Sequence, residues 1–292
     1  MAQSQRILTG QVVIGCFVLL FASILFAQAP VEKINYFSSL QKQLVDDGFH
    51  QERIGKIYED SRVYFDIKGV SRFLRHREAR LNYDQFTSSK SIRKARKYMK
   101  QYKAELSRAE RIYGVDREVV TAIILVETQL GTGVGNNSVL STLSTIAALS
   151  DPTVRESFWK RIEDISDVSR ERYDKWVARK SKWAYNELKA FLKYTDREKI
   201  NPLKVKGSYA GALGISQFMP SNILIFARDG DNDGRIDLFC HADAIASVAN
   251  YLKRHGWQPQ IDRKKAKKVI WYYNRSKYYV DIIFKISDIL KG

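Results

Sequence analysis

The sequence is short of the residues that mark fibrous, low-complexity and repetitive proteins. Its 292 residues include only 5 prolines and 16 glycines, too few for a collagen-like or low-complexity chain. A repeat of about 20–50 residues is absent, which argues against a solenoid. Because 45% of the residues are hydrophobic and 28% are charged, close to the globular average, we predict one large domain or two modest ones.

Cysteine is also scarce. The chain has only Cys16 and Cys240, and Cys16 lies in an apolar run near the N-terminus. If that run is removed, Cys240 has no partner for an intramolecular disulfide. The stability of the mature chain must then come from an ordinary hydrophobic core, for which the remaining length is ample.

Acidic residues are outnumbered by basic ones. Lys and Arg total 49 and Asp and Glu total 32, which gives a net charge of +17. Such an excess favours a polyanionic partner, and nucleic acid, anionic lipid and the carboxylate-bearing cell wall all qualify. The cations are dense in residues 89–113, predicted to form one long helix with either a solvated face or a surface for an acidic polymer. Only Tyr98 stands among these cations, too little aromatic surface to stack bases, so we predict no nucleic-acid partner.

The first thirty residues indicate export. Arg6 is the only charge before Glu32, and residues 12–27 form an apolar run of sixteen residues that ends in the small-residue site Ala27-Gln28-Ala29. A positive start, a short apolar core and an A-x-A ending are typical of a secretory signal. A membrane span typically needs roughly twenty apolar residues, which is more than this run provides.

Two details leave the fate of this segment open. Pro30 would follow the cleavage site and is expected to hinder signal peptidase, and Val13-Ile14-Gly15-Cys16 resembles the lipid-attachment site of bacterial lipoproteins. We therefore predict that residues 1–29 are a signal peptide or an N-terminal anchor of an exported protein. Cleavage, retention and, as the less favoured alternative, lipidation all remain open.

After Pro30, apolar residues recur at helical spacing through most of the chain, whereas the alternation typical of strands is almost absent. We predict a mainly helical protein with an N-terminal helical region at residues 30–102 and a second region at residues 103–292. A small hairpin is predicted near residues 229–240. Asp116 is a good N-cap for the helix that follows it.

That helix carries a glutamate on its apolar side. Positions three, four and seven residues before Glu127 hold Ile124, Ile123 and Val120, so helical geometry places the carboxyl group on an apolar stripe. Desolvation and the negative end of the helix dipole are both expected to raise its pKa. A carboxylic acid that stays protonated near neutral pH suits general acid catalysis. From these residues alone, a glutamate paired with a buried Arg or Lys is an equal alternative.

Four sequence elements follow one another in a set order. They are Glu127-Thr128-Gln129-Leu130-Gly131, which follows YGVD at residues 113–116, then GSYAGALGISQFMPS at 207–221, SVANYLKRHGW at 247–257 and YNRSKYY at 273–279. This set resembles the membrane-bound lytic murein transglycosylase B family, from about residue 103 to 289 and more loosely back to residue 37. The resemblance implies a mainly α fold with a lysozyme-like catalytic core.

The resemblance also implies an activity. Members of that family cleave the β-1,4 bond between N-acetylmuramic acid and N-acetylglucosamine in peptidoglycan, and leave 1,6-anhydro-muramoyl ends without using water. Glu127 would be the single acid/base, and no cofactor would be needed for the chemistry. Ordinary glycosidases need a second carboxyl group. The alternatives are a catalytically silent peptidoglycan-binding scaffold on the same fold and a hydrolytic muramidase.

By family position, five residues would contact the substrate. The resemblance places Ser208 and Gln217 in the cleft near the acid, and Tyr273, Asn274 and Tyr279 at the sugar or its acetamido group. Plain core packing is the alternative for the tyrosines. The implied partner is the glycan strand of peptidoglycan, and we expect a monomer in the periplasm of a Gram-negative bacterium, with membrane association through its N-terminus.

An acidic loop at residues 229–243 begins like an EF-hand. Oxygen-bearing side chains stand at alternate positions before a glycine, but the twelfth position, where an EF-hand has glutamate, is Cys240. The resembling family closes a longer loop three residues later, which implies a structural Ca²⁺ site rather than a solvated turn. Cys240 is a soft ligand and is expected to point elsewhere. The proposed ligands are Asp229, Asp231, Asp233, the carbonyl of Arg235 and Asp243.

Overall fold

The computed structural model describes residues 35–75, 82–164 and 167–292. The predicted signal peptide or anchor at residues 1–29 lies outside the described residues. Within those residues, every helix is too short or too polar to cross a membrane.

The prediction of a mainly helical protein is confirmed. The helices are α1 (Ser38–Asp46), α2 (Gln51–Glu59), α3 (Ile67–Arg75), α4 (Ser89–Gln101), α5 (Lys103–Tyr113), α6 (Arg117–Thr128), α7 (Val139–Ala148), α8 (Pro152–Trp159), α9 (Arg170–Arg197), α10 (Pro220–Phe226), α11 (His241–Arg254), α12 (Arg263–Tyr273) and α13 (Lys277–Lys291). Two 3₁₀ turns cover Asp84–Thr87 and Pro202–Lys204. Strands β1 (Asn137–Ser138) and β2 (Lys206–Gly207) pair antiparallel, with Asn137 opposite Gly207.

The centre of the fold is built on α6 and α7. All ten residues of α7 are buried, and α7 packs along the 28-residue helix α9, while α6 packs against α13. Hydroxyl groups of α7 bind the N-terminal helical region: Thr142 Oγ1 donates to Asp66 Oδ2 at 2.9 Å, and Tyr58 Oη lies 2.7 Å from Ser144 Oγ. Residues 35–292 cluster as one compact unit, and the division after residue 102 stays a prediction.

The basic segment at residues 89–113 is two helices rather than one. Helices α4 and α5 meet at Tyr102, whose φ and ψ of −104° and 35° are not helical. Tyr98, interpreted above as lying among the cations, is instead 5% exposed and lies 2.9 Å from His241 Nδ1. That interpretation is wrong because Tyr98 follows the buried Ala95 by three residues and so lies on the same helical stripe.

One local prediction is wrong, and another holds for the position but not for the contact. Residues 229–240 form bends and one turn rather than a hairpin, and the only strand pair in the described ranges is β1 with β2. Asp116 occupies the N-cap position of α6 but makes no side-chain capping bond. Its Oδ2 instead accepts a 2.5 Å hydrogen bond from Lys291 Nζ, a partner 175 residues away that local spacing does not reveal.

Candidate active site

Glu127 stands at the C-terminal end of α6 and lines a cleft of about 460 Å³. Behind it, Val120, Ile123 and Ile124 are fully buried, so the stripe predicted from the sequence is present. The glutamate itself is half-buried. Its carboxyl group therefore lies between an apolar helix face and the opening of the cleft.

Tyr279 of α13 contacts this carboxyl group directly. Its Oη donates a hydrogen bond of 2.6 Å to Oε1 of Glu127, and the tyrosine side chain is 1% exposed. Burial and the neighbouring Glu127 carboxylate hold the pKa of Tyr279 well above its usual range. Tyr279 therefore keeps its proton and acts as a donor to the glutamate.

Tyr273, at the end of α12, also lines the cleft. Its Oη donates to the carbonyl oxygen of Ser216 at 2.6 Å, and its ring lies parallel to that of Tyr279 with centroids 6.3 Å apart. Burial, and then the Glu127 carboxylate, raise the pKa of Tyr273 well above its usual range. The side-chain amide of the next residue, Asn274, has no partner among the described residues and lies at the cleft.

The glycine-rich loop, residues 207–221, presents one hydrogen-bond donor and one hydrogen-bond acceptor. Ser208 Oγ accepts the backbone N–H groups of Ala210 and Ala212 at 3.3 and 3.1 Å. Since these bonds use both lone pairs, the hydroxyl hydrogen is left to donate to a ligand. The NH₂ group of Gln217 donates to the carbonyls of Val134 and Gly214 at 3.1 and 2.9 Å, which leaves its carbonyl oxygen as an acceptor.

Two glycines let this loop fold tightly against its surroundings. A Cβ atom on Gly207 would stand 2.2 Å from the carbonyl oxygen of Ala212. Gly214 has a φ of 76°, and a Cβ there would stand 2.4 Å from Cβ of Leu238. Side chains at these positions would displace the loop that carries Ser208 and Gln217.

Thr128, which the sequence analysis did not single out as a site residue, ties α6 to the same loop. Its Oγ1 donates to the carbonyl oxygen of Ile215 at 2.9 Å and accepts the N–H of Gly131 at 3.0 Å. The side chain is 1% exposed. The only sign of this role in the sequence is that Thr128 directly follows Glu127 in the first matched element. Its partner, Ile215, lies 87 residues away, so local sequence does not reveal the contact.

The cleft gathers every residue predicted to act on the substrate. Its lining includes Glu127, Ser208, Gln217, Tyr273, Asn274 and Tyr279. Sequence reasoning missed the wall formed near the first 3₁₀ turn by Asn82, Tyr83, Gln85 and Phe86, and it missed Tyr209 as a lining residue. The turn carries no motif, and its position against α4 and α13 depends on packing between distant elements.

The structure also brings the acidic loop residues together. Asp229, Asp231 and Asp233 each offer a carboxylate oxygen within 4.8 Å of the others. Burial raises the pKa of Asp229, but backbone N–H groups of Gly234 and Asn232 lower it more, so the net shift is downward. The Arg235 guanidinium donates to the carbonyl of Glu198 at 2.7 Å.

Asp243 closes the loop from the first turn of α11. It is 2% exposed, and its two carboxylate oxygens accept the N–H groups of Gly230 and Asp237, each at 2.7 Å. Burial, with a smaller contribution from nearby carboxylates, raises the pKa of Asp243 to about 6. The prediction that Cys240 points elsewhere is wrong: Cys240 Sγ donates to Asp231 Oδ2 at 3.5 Å. Cys240 stands at the N-cap position of α11, and its Sγ and carboxylate oxygens of Asp231 and Asp243 all lie within 4.8 Å of one another.

Comparison with solved structures supports the fold. The chain superimposes on the soluble lytic transglycosylase SltB1 of Pseudomonas aeruginosa with a TM-score of 0.70 and 24% identity, covering 88% of this chain and 98% of that one. The Escherichia coli lytic transglycosylase SLT35 in complex with calcium gives 0.68 and 23%, covering 89% and 93%. These matches confirm the predicted lysozyme-like fold, while the metal loop stays a prediction.

Sequence comparison identifies the family. Membrane-bound lytic murein transglycosylase B of Escherichia coli is 37% identical over 160 residues, which are 55% of this chain and 37% of that protein. The chain thus spans little more than a third of the length of this relative. The family described as the transglycosylase SLT domain matches residues 33–266. The resemblance inferred from the motifs is confirmed, and the chain belongs to the transglycosylase SLT domain family.

Proposed function

We propose that this protein is a peptidoglycan lytic transglycosylase that uses Glu127 as its single acid/base. The observation that carries the proposal is the position of Glu127: it lies half-buried in a cleft, with Tyr279 donating to its carboxyl group at 2.6 Å. Family membership supports the same reaction class. The substrate is the glycan strand, cut between N-acetylmuramic acid and N-acetylglucosamine.

The reaction proceeds in two proton transfers through one carboxyl group. Protonated Glu127 gives its proton to the glycosidic oxygen as the bond from that oxygen to C1 of the muramoyl residue breaks. The substrate's own acetamido group assists at C1. The Glu127 carboxylate then takes the proton of the muramoyl 6-hydroxyl as its oxygen bonds to C1, which closes the 1,6-anhydro ring and restores the acid.

The composition of the cleft supports a single-carboxylate mechanism. Among the described residues, Glu127 is the only acid that lines the cleft. Glycosidases with two carboxyl groups use the second one as a nucleophile or to activate water. The intramolecular acceptor removes the need for either role, so the proposed reaction requires no further acid and no cofactor.

The polar groups around Glu127 suit a sugar. Ser208 donates to a hydroxyl or acetamido oxygen, the carbonyl oxygen of Gln217 accepts from a hydroxyl, and the amide of Asn274 can do either. The ring of Tyr273 offers a flat face to a pyranose. A related structure supports this assignment: SltB3 of Pseudomonas aeruginosa was solved in complex with NAG-NAM-pentapeptide. It is 20% identical to this chain with a TM-score of 0.69, and the match covers 87% of this chain and 78% of that one.

The test is product analysis on purified sacculi. We expect the unmodified protein to release muropeptides with anhydro-muramoyl ends, each lighter by one water than a reducing end. Products with reducing ends only would identify a hydrolytic muramidase. Absence of release, with binding to sacculi retained, would identify a silent scaffold.

The matched variant is Glu127→Gln, which keeps the shape of the side chain and removes the proton. We expect release to fall by about 10²–10⁴-fold, the usual contribution of general acid–base catalysis, with an unchanged circular dichroism spectrum. Activity close to that of the unmodified protein would remove Glu127 from its assigned role.

We also propose that the acidic loop holds one Ca²⁺, for stability rather than chemistry. The clustered oxygens of Asp229, Asp231 and Asp233 support it, as does the calcium complex of the Escherichia coli relative SLT35. Asp243 and the carbonyl of Arg235 would complete the ligand set, and oxygen donors are the ligands that Ca²⁺ prefers.

The proposed location is the periplasm of a Gram-negative bacterium, where a monomer is exported through residues 1–29 or anchored by them. The relative in Escherichia coli is named membrane-bound, which supports membrane association. Cell fractionation with N-terminal sequencing of the mature chain tests this, and light scattering tests the monomer. An acylated Cys16 at the mature N-terminus would overturn it in favour of a lipoprotein.

A further inference from the structure

Exposed aromatic side chains gather where α12 ends and α13 begins. Of the large apolar side chains that the structure describes, seven are exposed, and Trp271, Tyr272 and Tyr278 are three of them. They are 43%, 54% and 62% exposed. Three of seven within eight residues is a cluster rather than a scatter, and clustered exposed apolar side chains mark an interaction surface.

Two of these aromatic residues line a recess of about 480 Å³ between α12 and α13, here called the α12–α13 groove. Trp271, Tyr272 and Val280 supply its apolar wall. The Trp271 ring has no aromatic, cation or hydrogen-bond partner among the described residues, so its flat face and its indole N–H are both open. An apolar, aromatic recess with few polar groups is the usual form of a ligand site.

Lysines surround this recess. Lys267 pairs with Asp281 at 3.1 Å and neutralises the one acid of the groove. Lys268 and Lys277 also line it, and neither has a carboxylate partner among the described residues. The groove therefore combines aromatic faces with two unpaired positive charges, which fits a ligand that carries both apolar ring faces and carboxylates.

The groove adjoins the catalytic cleft along the chain. Tyr273, Asn274 and Tyr279 line the cleft, whereas Trp271, Tyr272 and Lys277, each one or two residues away from one of them in sequence, line the groove. Residues 271–279, from the last turn of α12 to the first turn of α13, thus supply walls to both. A polymer that enters the cleft has further units to place, and this groove is within one or two residues of the cleft wall.

We propose that the α12–α13 groove is a second binding site for peptidoglycan, which stacks a sugar ring of a glycan strand on Trp271 and Tyr272 and pairs stem-peptide carboxylates with Lys268 and Lys277. The ligand class rests on the proposed function, but the site is separate from Glu127. A membrane surface fits less well, because Trp271 and Tyr272 form the wall of a recess, whereas lipid binding uses an apolar face that enters the bilayer.

The experiment measures binding without cleavage. The full chain carrying Glu127→Gln is mixed with purified sacculi, and the bound fraction is measured by co-sedimentation. Adding Trp271→Ala with Tyr272→Ala is expected to raise the half-saturating concentration by about tenfold, which corresponds to about 1.4 kcal/mol. The matched control is Tyr64→Ala, which removes an aromatic residue that is 46% exposed and does not line the groove. A half-saturating concentration that stays within twofold of the parent in the double variant would overturn the proposal.

The role of the lysines is tested separately. Lys268→Gln with Lys277→Gln should weaken binding to intact sacculi and reduce its salt dependence. After an amidase removes the stem peptides, the same pair should make no difference. An effect that persists without stem peptides would contradict carboxylate recognition.

Anionic phospholipid vesicles provide the alternative ligand. Binding to vesicles that depends on Trp271, with sacculus binding unchanged, would overturn the proposal in favour of a membrane contact. Because Glu127→Gln is present throughout, failure of the groove proposal remains distinguishable from failure of the proposed activity. Sacculi that are cut by the unmodified protein but bound equally by all variants would refute the groove alone.

Discussion

Tyr279 Oη and Glu127 Oε1 are 2.6 Å apart and form a hydrogen bond that joins α13 to α6, between residues 152 positions apart in sequence. The bond sets the direction of the carboxyl group within the cleft. The raised pKa of Tyr279 keeps the tyrosine protonated through the physiological range. Tyr279 is therefore proposed to position the catalytic residue, in addition to any contact with the substrate.

Tyr279→Phe tests this positioning role. The phenyl ring fills the same buried space, so we expect the fold to persist. Loss of the hydrogen bond to the carboxylate that forms as Glu127 releases its proton costs about 1.5–3 kcal/mol, the usual value for a charged partner. This predicts a fall in kcat of roughly ten- to hundredfold with a smaller change in KM. The measurement is the initial rate of muropeptide release from sacculi at several substrate concentrations.

The control for this variant is Tyr194→Phe. Tyr194 is also 1% exposed, and its hydroxyl donates to the carbonyl of Ile236 at 3.0 Å, away from the cleft lining. It should lose stability without losing kcat. Equal rates for Tyr279→Phe and the unmodified protein would show that the hydrogen bond to Glu127 has no part in turnover.

Thr128→Val should affect both stability and activity. The change leaves the buried carbonyl of Ile215 and the N–H of Gly131 without their partner, at a cost of about 1–3 kcal/mol in the free energy of unfolding. It also frees the end of α6, so kcat should fall. Denaturant unfolding and muropeptide release measure the two effects.

Thr121→Val is the matched control on the same helix. Thr121 is fully buried, but its Oγ1 donates only within α6, to the carbonyl of Arg117 at 2.8 Å. We expect little change in kcat. If both variants lost activity equally, the link between Thr128 and the glycine-rich loop would not be what places Glu127.

Patterns within one segment of the sequence predicted the features that helical geometry alone determines. The spacing of Val120, Ile123 and Ile124 placed Glu127 against an apolar face, and the structure buries those three residues fully. The motifs also selected side chains that do gather in one cleft. The chemical roles given to those side chains stay predictions, because proximity does not by itself assign a role.

Contacts between distant elements could not be predicted in the same way. The pairs Tyr279 with Glu127 and Tyr98 with His241 join residues 152 and 143 positions apart. Helical periodicity states which face of a helix is apolar, but not which element covers it. The wall formed by Asn82 and Phe86 was missed for the same reason.

The pH dependence of stability tests the half-buried His241. Burial lowers the pKa of His241 below its usual value, although Glu105 opposes this shift. The unfolded chain therefore binds the proton more readily, so the contribution of His241 to stability is complete above the unfolded pKa of about 6.5 and is lost as the pH falls below it. We expect the Tm to fall more between pH 7 and pH 5 in the unmodified protein than in His241→Asn.

The difference between the two proteins in the slope of Tm against pH isolates the contribution of the His241 imidazole to stability. Asp243, whose pKa is raised to about 6, acts with the opposite sign in the same window, because its protonation favours the folded state as the pH falls. Both proteins contain Asp243, so its contribution cancels in the difference. Parallel Tm profiles for the two proteins would mean that His241 titrates alike in the folded and unfolded chain.

Calcium should raise the Tm through the acidic loop. Three aspartates within five residues repel one another, and a divalent cation relieves that repulsion. Cys240 stands beside Asp231 where an EF-hand has glutamate, so we expect a Kd of about 10⁻⁴–10⁻³ M. At a free Ca²⁺ concentration of a hundred times Kd, the gain in the free energy of unfolding is about 2.7 kcal/mol.

Thermal melts with EDTA or excess Ca²⁺ test this gain. The Tm should rise with Ca²⁺ in the unmodified protein but not in the double variant Asp231→Ala with Asp233→Ala. Equal Tm values with and without metal would refute the site, and a loss of activity without a loss of stability would place the metal in the catalytic machinery.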